Sequence, residues 1–250
     1  RTEIVRAEII LKKLEDKNQN INLLPDSNFI FPKSKCSMFK KIRGYDRYNI
    51  DNLERNFPLA FIILVYQDVE QFERLLKTIY RSHNIYCIHI DKKSSNIIYQ
   101  AVKSIVNCFD NIFLATKLEN VYYASSNLLR ADLNCMRDLF QLDKLINSKH
   151  DNLIDKKYVD WKYVLNLAST EFPLRTNYEL ARILQMYNGS NEVDIIKKVN
   201  IKERYKYKWE LNETSNVLQK TGTKSPPPHN LNIVKCLRFV LICLLYTSDA

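Results

Sequence analysis

The chain has 250 residues, 46% of them hydrophobic and 26% charged, which is the balance of a folded protein with ample core material rather than of a disordered segment. Its net charge of +10 favours anionic partners, and nucleic acid, an anionic membrane face and phosphorylated small molecules all qualify. Three glycines (Gly44, Gly189, Gly222) stand where ordinary usage gives roughly 17, and none is near another, which excludes a dinucleotide fingerprint, a P-loop and a kinase-type glycine lid.

Residues 1–35 begin with a short helical pattern (Ile4, Ile9, Ile10, Leu14) and then turn polar, the texture of a stem or linker. No signal peptide or bilayer-length apolar run is present, and the start at Arg1 leads us to expect an upstream segment. From Phe57 the texture alternates. "FPLAFIILV" has the length and continuous apolarity of a strand buried on both faces. Asp68 and Gln71 have capping-box spacing ahead of a helix with Val69, Phe72, Leu75, Leu76 and Ile79 on one side.

"IYCIHID" follows as a second strand, Ser94 or Ser95 caps a second helix, and "NIFLAT" is a third strand. Ser125 or Ser126 opens a third helix with Leu129, Leu133, Met136 and Phe140 in register. After a polar excursion over 143–157, "YVLNLAS" is a fourth strand and Asn177 a cap for a fourth helix. Strands alternating with helices predict βαβ units, a largely parallel sheet, and a ligand site beyond the carboxyl ends of its strands.

At one such end, "NIYCIHIDKK" carries Cys87, His89 and Asp91 at alternate positions. Asp91 there has two readings, an acceptor for a ribose or base hydrogen bond and a solvated strand end. His89 lacks a partner histidine at ligand spacing and reads as a hydrogen-bonded core residue. In "IKERYKYKWEL", period-2 alternation puts Lys202, Arg204, Lys206 and Lys208 on one face, with Glu203, Tyr205, Tyr207 and Trp209 on the other. That row of cations is either a ligand-facing surface or an edge strand protected by lysines. A nucleic-acid stacking groove is less well served, since it needs rings and charges together. None of the six cysteines forms a CxxC pair, which argues against zinc ribbons and thioredoxin-type chemistry. Asn188-Gly-Ser and Asn212-Glu-Thr fit the N-glycosylation pattern.

Several segments in order — Phe57 to Arg81, "YCIHIDKK", "CFDNIFLATKLENVYYAS", "ADLNCMRDL", "LNLASTEFPLRTN" and "KSPPPHNL" — resemble the core 2 and I-branching β-1,6-N-acetylglucosaminyltransferases. The resemblance runs from about Cys36 to Lys235. Related peptide O-xylosyltransferases share the "IHIDKK" and "FPLRTN" themes, while "ENVYYASSNLLRADLNCMRDL" is closer to the N-acetylglucosaminyl branch.

The resemblance implies an α/β, GT-A-like fold, with a largely parallel sheet flanked by helices and incomplete at the C-terminus. It implies transfer of GlcNAc from UDP-GlcNAc to a galactose or GalNAc 6-hydroxyl, inverting and metal-independent; no Asp-x-Asp triplet occurs in the chain. Sugar-nucleotide-binding positions fall on Leu64, Val65, Tyr66, Asp91, Lys92, Lys93 and Tyr123, and acceptor-binding positions on Asp194, Lys202 and Arg204. The family pattern pairs Cys36 with Cys108 and Cys87 with Cys135, which requires an oxidising compartment and fits the lumenal side of the Golgi membrane, with an N-terminal anchor upstream. The implied partners are a UDP-sugar and a glycan acceptor, with no cofactor, no metal and no nucleic acid.

In the family pattern, a general-base glutamate and the arginine and lysine that stabilise the departing diphosphate follow the segment "PPPHNLNIVK". The resemblance assigns no such role to Glu119 or Glu171. Residues 236–250 read as a non-family tail, and Cys243 to Ala250 resemble a translated sequencing adapter. The chain as written is therefore expected not to turn over. A non-catalytic sugar-nucleotide-binding or interaction protein and a peptide O-xylosyltransferase are the other readings.

Overall fold

The computed structural model describes residues 24–122, 125–141, 159–196, 207–212, 217–223 and 235–243. Four strands, β1 (Leu59–Val65), β2 (Ile85–Ile90), β3 (Ile112–Leu114) and β4 (Tyr163–Ala168), lie parallel in the order β3-β2-β1-β4. The central strand β1 is LAFIILV, and all seven of its residues are buried. Neighbours saturate both its edges, so each side chain must enter one of two apolar layers.

On one face Phe61, Ile63 and Val65 pack against α3 (Val69–Ile79) and α4 (Asn96–Val106). On the other, Ala60, Ile62 and Leu64 meet α5 (Ser126–Phe140) and Trp161. Phe72, Leu75 and Leu76 are at most 1% exposed, and each contributes about 1.5–3 kcal/mol of burial. The α/β sheet with helices on both faces is the architecture predicted from the alternating pattern.

The caps differ in detail from the predicted ones. Asp68 accepts from the Gln71 amide with φ at 54°, while the Gln71 side chain donates to the Thr170 carbonyl, so the box is half formed. Ser95 caps α4 and Ser125 caps α5. The cap of α6 (Asn177–Tyr187) is Thr176, in a full capping box with Glu179. Asn177 is instead buried and donates to the Ile79 carbonyl at 2.9 Å, tying α6 to the end of α3.

The α5 face is a correction. Leu129, Leu133 and Phe140 are 58%, 50% and 42% exposed. Ala131, Cys135 and Leu139 face the core, accompanied by the polar residues Asp132, Asn134 and Asp138. These three are drawn inward by partners: Asp138 accepts from the Thr116 amide and hydroxyl at 2.7 and 2.8 Å, Asn134 donates to Glu119, and Asp132 accepts from Asn166. The Thr116 amide and the Lys117 carbonyl, just beyond β3, need such partners.

Residues 24–35, assigned to the stem from sequence, pack onto the domain. The Leu24 amide donates to Glu70 and the Val69 amide to Asp26, and Phe29 is 3% exposed. The short α1 (Cys36–Arg43) follows, then α2 (Asn52–Arg55). Gly44 ends α1 at φ 77°, a left-handed position that glycine takes without strain. Cys36 is joined to Cys108, as the resemblance implies. Arg43 and Tyr45 both reach the buried carboxylate of Glu73.

Cys87 and Cys135 depart from the implied pairing: both are free, fully enclosed thiols. They neighbour each other between β2 and α5, and burial pushes both thiols above the ordinary cysteine range. In this setting cysteine serves as a small apolar side chain.

β8 (Lys235–Cys243) pairs antiparallel with β4 and with β5 (Glu192–Ile196). Residues 236–243, which the sequence sets apart as a tail, thus continue the sheet beyond β4. A separate ribbon joins β6 (Tyr207–Asn212) to β7 (Val217–Thr223). Trp209, predicted on a buried face, is 41% exposed, and Lys220 of β7 lies over the rings of Tyr207 and Trp209. The ribbon forms outside the main sheet, so its aromatic side gains no core to enter. Among the described residues no helix is long and apolar enough to cross a membrane.

Candidate functional site

The carboxyl ends of β1, β2 and β4 open on a cavity of about 700 Å³. Its position follows from the sheet: parallel strands end together here, and the connections leaving them diverge to opposite faces. The Asp91 amide donates to the Val65 carbonyl and the Ser169 amide to Leu64, which fixes the three strand ends in register.

Of the sequence-predicted residues, Leu64, Val65, Tyr66, Asp91 and Lys93 line this cavity. Tyr66 is 47% exposed, so its ring stands at the mouth. Lys92 is exposed beside it, and its amide donates to the Glu119 carbonyl. Tyr123 lies outside the described residues, next to Tyr122, which forms part of the wall. Lys202 and Arg204 also lie outside them. Asp194 is placed in β5 by its backbone, where the register with β8 shifts, and its side chain lies outside the described part. Asn188 is exposed at the left-handed end of α6, and Asn212 ends β6.

Asp91 shows why an acid stands at this strand end. Its Oδ1 accepts from the Lys93 amide at 2.9 Å and the Val121 amide at 3.3 Å, and its Oδ2 accepts from the Lys93 ammonium at 2.7 Å. Lys93 also donates to the Val121 carbonyl and stands 4.3 Å from the Tyr122 ring centroid. One carboxylate therefore organises both the β2 turn and the loop between β3 and α5. Of the two sequence readings of Asp91, the structure rules out a solvated strand end, because the residue is 8% exposed.

The sequence missed His89, Ser94, Val121, Tyr122, Leu128 and Ala168 as wall residues. Proximity to the strand ends could have found His89, Ser94 and Ala168; the other three arrive through the loop, whose path no local signal gives. His89 is fully buried, and its Nε2 accepts from the Glu119 amide at 2.9 Å. Burial holds its imidazole below the ordinary histidine range, against the charges of Asp91 and Glu119. Glu119 accepts from Asn134 at 2.9 Å and pairs with Lys117 at 3.1 Å, and these hold its carboxyl below the usual glutamate range. Glu171 turns back to accept from the Ala168 amide at 2.8 Å. Both carboxylates thus support loops at this end of the sheet.

Chemically the site is a largely apolar slot with a buried acid and two lysines at its rim. Such a slot suits a planar ring carried into apolar walls, with hydroxyls and negative charge left at the mouth. Among the described residues no three His, Cys, Asp or Glu side chains converge to hold a metal ion.

The sequence profile of the Core-2/I-Branching enzyme family matches residues 59–242, a span that holds every cavity-lining residue and continues into the supposed tail. The chain is 36% identical over 228 residues to the mouse (Mus musculus) protein named beta-1,3-galactosyl-O-glycosyl-glycoprotein beta-1,6-N-acetylglucosaminyltransferase 3, covering 91% of this chain and 48% of the relative. A Bovine herpesvirus 4 (strain LVR140) protein named beta-1,3-galactosyl-O-glycosyl-glycoprotein beta-1,6-N-acetylglucosaminyltransferase is 37% identical over 90% of this chain and 47% of its own. The chain spans about half the length of the curated relatives it matches. Among solved structures, a 4-diphosphocytidyl-2C-methyl-D-erythritol synthase from Anaerococcus prevotii superposes at TM-score 0.31 and 13% identity over 77% of this chain and 73% of its own, too slight a likeness to carry an argument. The profile spans most of the chain and all of the cavity wall, and this chain belongs to the Core-2/I-branching enzyme family.

Proposed function

We propose that this chain carries the donor-binding part of a β-1,6-N-acetylglucosaminyltransferase, which moves GlcNAc from UDP-GlcNAc to a galactose or GalNAc 6-hydroxyl with inversion and without a metal ion. The observation that carries the reading is the convergence of Leu64–Tyr66 with Asp91 and Lys93 around one cavity at the strand ends. These are the positions that the family resemblance gives to the sugar nucleotide, although they lie far apart in sequence. The uracil and ribose enter the apolar slot, and the diphosphate lies toward Lys92 and Lys93. Tyr123 completes the donor wall, while Asp194, Lys202 and Arg204 bind the acceptor glycan.

The base that removes the acceptor proton and the cations facing the diphosphate belong to the part of the family pattern beyond residue 235. The parent protein works on the lumenal side of the Golgi membrane, held by an N-terminal anchor. The Cys36–Cys108 disulfide supports an oxidising compartment. Asn188, exposed after α6, and Asn212 carry N-glycans there.

Titration calorimetry of the purified chain tests the reading, with UDP, UDP-GlcNAc and UDP-xylose in buffer containing EDTA. Saturable UDP binding that survives EDTA and extends to UDP-GlcNAc supports it. Absence of UDP binding overturns it, and a marked preference for UDP-xylose moves the chain to the xylosyltransferase branch. Binding that ignores UDP and falls steeply with salt assigns it to nucleic acid.

A further inference from the structure

The loop from Glu119 to Tyr122 walls the cavity and is fastened to β2 at its carboxyl end. Lys92 donates its amide to the Glu119 carbonyl at 3.0 Å, and Asp91 accepts from the Val121 amide. Lys93 reaches the Val121 carbonyl. A further fastening comes from the strand itself: the Glu119 amide donates to Nε2 of His89 at 2.9 Å.

That bond fixes the tautomer. An Nε2 that accepts cannot carry a proton, so the neutral ring holds its hydrogen on Nδ1. Nδ1 is buried and makes no hydrogen bond of ordinary geometry, although the carbonyl of His89 itself acts weakly on the ring. A fully buried histidine with one unsatisfied N–H is a poor core residue, and an aliphatic side chain would avoid that penalty. What the histidine supplies in return is a lone pair at the ε position, aimed at a loop amide.

We infer that His89 is a positioning residue whose neutral imidazole latches the cavity wall through the Glu119 amide, and that protonation of the ring releases the latch. An imidazolium donates at both nitrogens, so its Nε2–H would face the Glu119 N–H with no acceptor between them. The charges acting on the ring are the Asp91 and Glu119 carboxylates. Lys93 and Lys117 are paired with these two acids rather than with the ring. On β1 its register partner is the apolar Leu64; of the α5 residues at this end, Leu128 and Asn134 carry no charge, and the charge of Arg130 acts on the Glu119 carboxylate. Burial opposes the carboxylates and prevails, so the latch stays closed at neutral pH and opens only in acid below the usual histidine range. The consequence for UDP rests on the donor-pocket reading; the latch itself does not.

Amide hydrogen exchange by NMR on the full chain tests the inference, with the Ile62 amide in β1 as core reference. At neutral pH the Glu119 amide should be protected at least about tenfold over its intrinsic rate. On acidification to about pH 4.5 that protection should be lost while Ile62 stays protected. His89→Gln, whose side-chain amide oxygen reaches the same position, should keep the protection at both pH values. His89→Leu should lack it at both. UDP affinity should fall about tenfold in His89→Leu, and in the unmodified chain on acidification.

Unchanged Glu119 protection across the pH series in the unmodified chain overturns the inference, as does equal protection in His89→Leu. If His89→Leu fails to fold, the comparison of the unmodified chain with His89→Gln decides. A Glu119 amide that behaves as expected in a chain that binds no UDP leaves the latch standing and removes the donor-pocket reading.

Discussion

Replacing Cys36 and Cys108 together by serine removes a cross-link of sequence separation 72. In the chain-entropy description a loop of this length withholds about 15 cal/mol/K from the unfolded ensemble, or about 4 kcal/mol at ordinary temperature. The native state should change little. The lead segment keeps its Leu24–Glu70, Asp26–Val69 and Phe31–Ser104 bonds, the Arg43–Glu73 ion pair, and the Tyr48 hydroxyl on the Lys77 carbonyl. The loss should therefore appear as an expanded unfolded state rather than as lost native contacts. Urea unfolding of the two proteins should show a lower midpoint and a larger dependence on urea in the double variant, because a longer free chain exposes more surface. Native amide exchange in β1 and β2 should persist in its pattern. A stability difference below about 1 kcal/mol, or a double variant whose segment 24–50 exchanges freely in the native state, would refute the reasoning.

Three further outcomes follow from the geometry. Asp91→Asn removes the charge and leaves one oxygen where three donors now meet two, so an amide N–H faces either the backbone amides or the Lys93 ammonium, and calorimetry should show UDP affinity down at least about tenfold. Asn134→Ala removes the main support of the lowered Glu119 carboxyl, and its NMR titration should move up toward the ordinary glutamate range. Glu119 has a depressed native pKa, so its contribution to stability is present above the ordinary glutamate pKa and is lost as pH falls through the native one. In Asn134→Ala that acid-dependent loss should shrink, as read from urea midpoints across the acid range. On α5, Leu129→Lys should alter stability by no more than about 0.5 kcal/mol, whereas Leu139→Ala should cost about 2–4 kcal/mol. Equal effects at the two leucines would mean that the helix has been given the wrong face.

Much of the frame was legible before any tertiary structure. "FPLAFIILV" and "IYCIHID" carry the uninterrupted apolarity that only a strand covered on both faces requires, and the serines at 95 and 125 mark helix starts by their capping chemistry. Asp91 was legible as a pocket candidate, since parallel strands expose their last residues to one common crevice. Periodicity misjudged α5 because it weighs hydrophobicity alone. Asp132, Asn134 and Asp138 enter the interior because specific amides and side chains await them, and a one-dimensional pattern has no term for a partner supplied by another element. The cap of α6 was misplaced by one residue for a related reason: Asn177 is claimed by the Ile79 carbonyl across the fold.

By itself the amino-acid sequence determined the strand–helix alternation, the exclusion of glycine-cradled nucleotide binding, and the segments through which the family is recognised. Local propensity, burial period and motif spacing are written along one dimension and need no partner. Only the tertiary structure decided that Cys87 and Cys135 stand as buried thiols and that 24–35 belongs to the domain. It alone brought Val121 and Tyr122 around to Asp91 and set His89 against the Glu119 amide. Each of these is a contact between residues some 30 or more positions apart, and a long-range contact exists only once the packing of everything between has settled it.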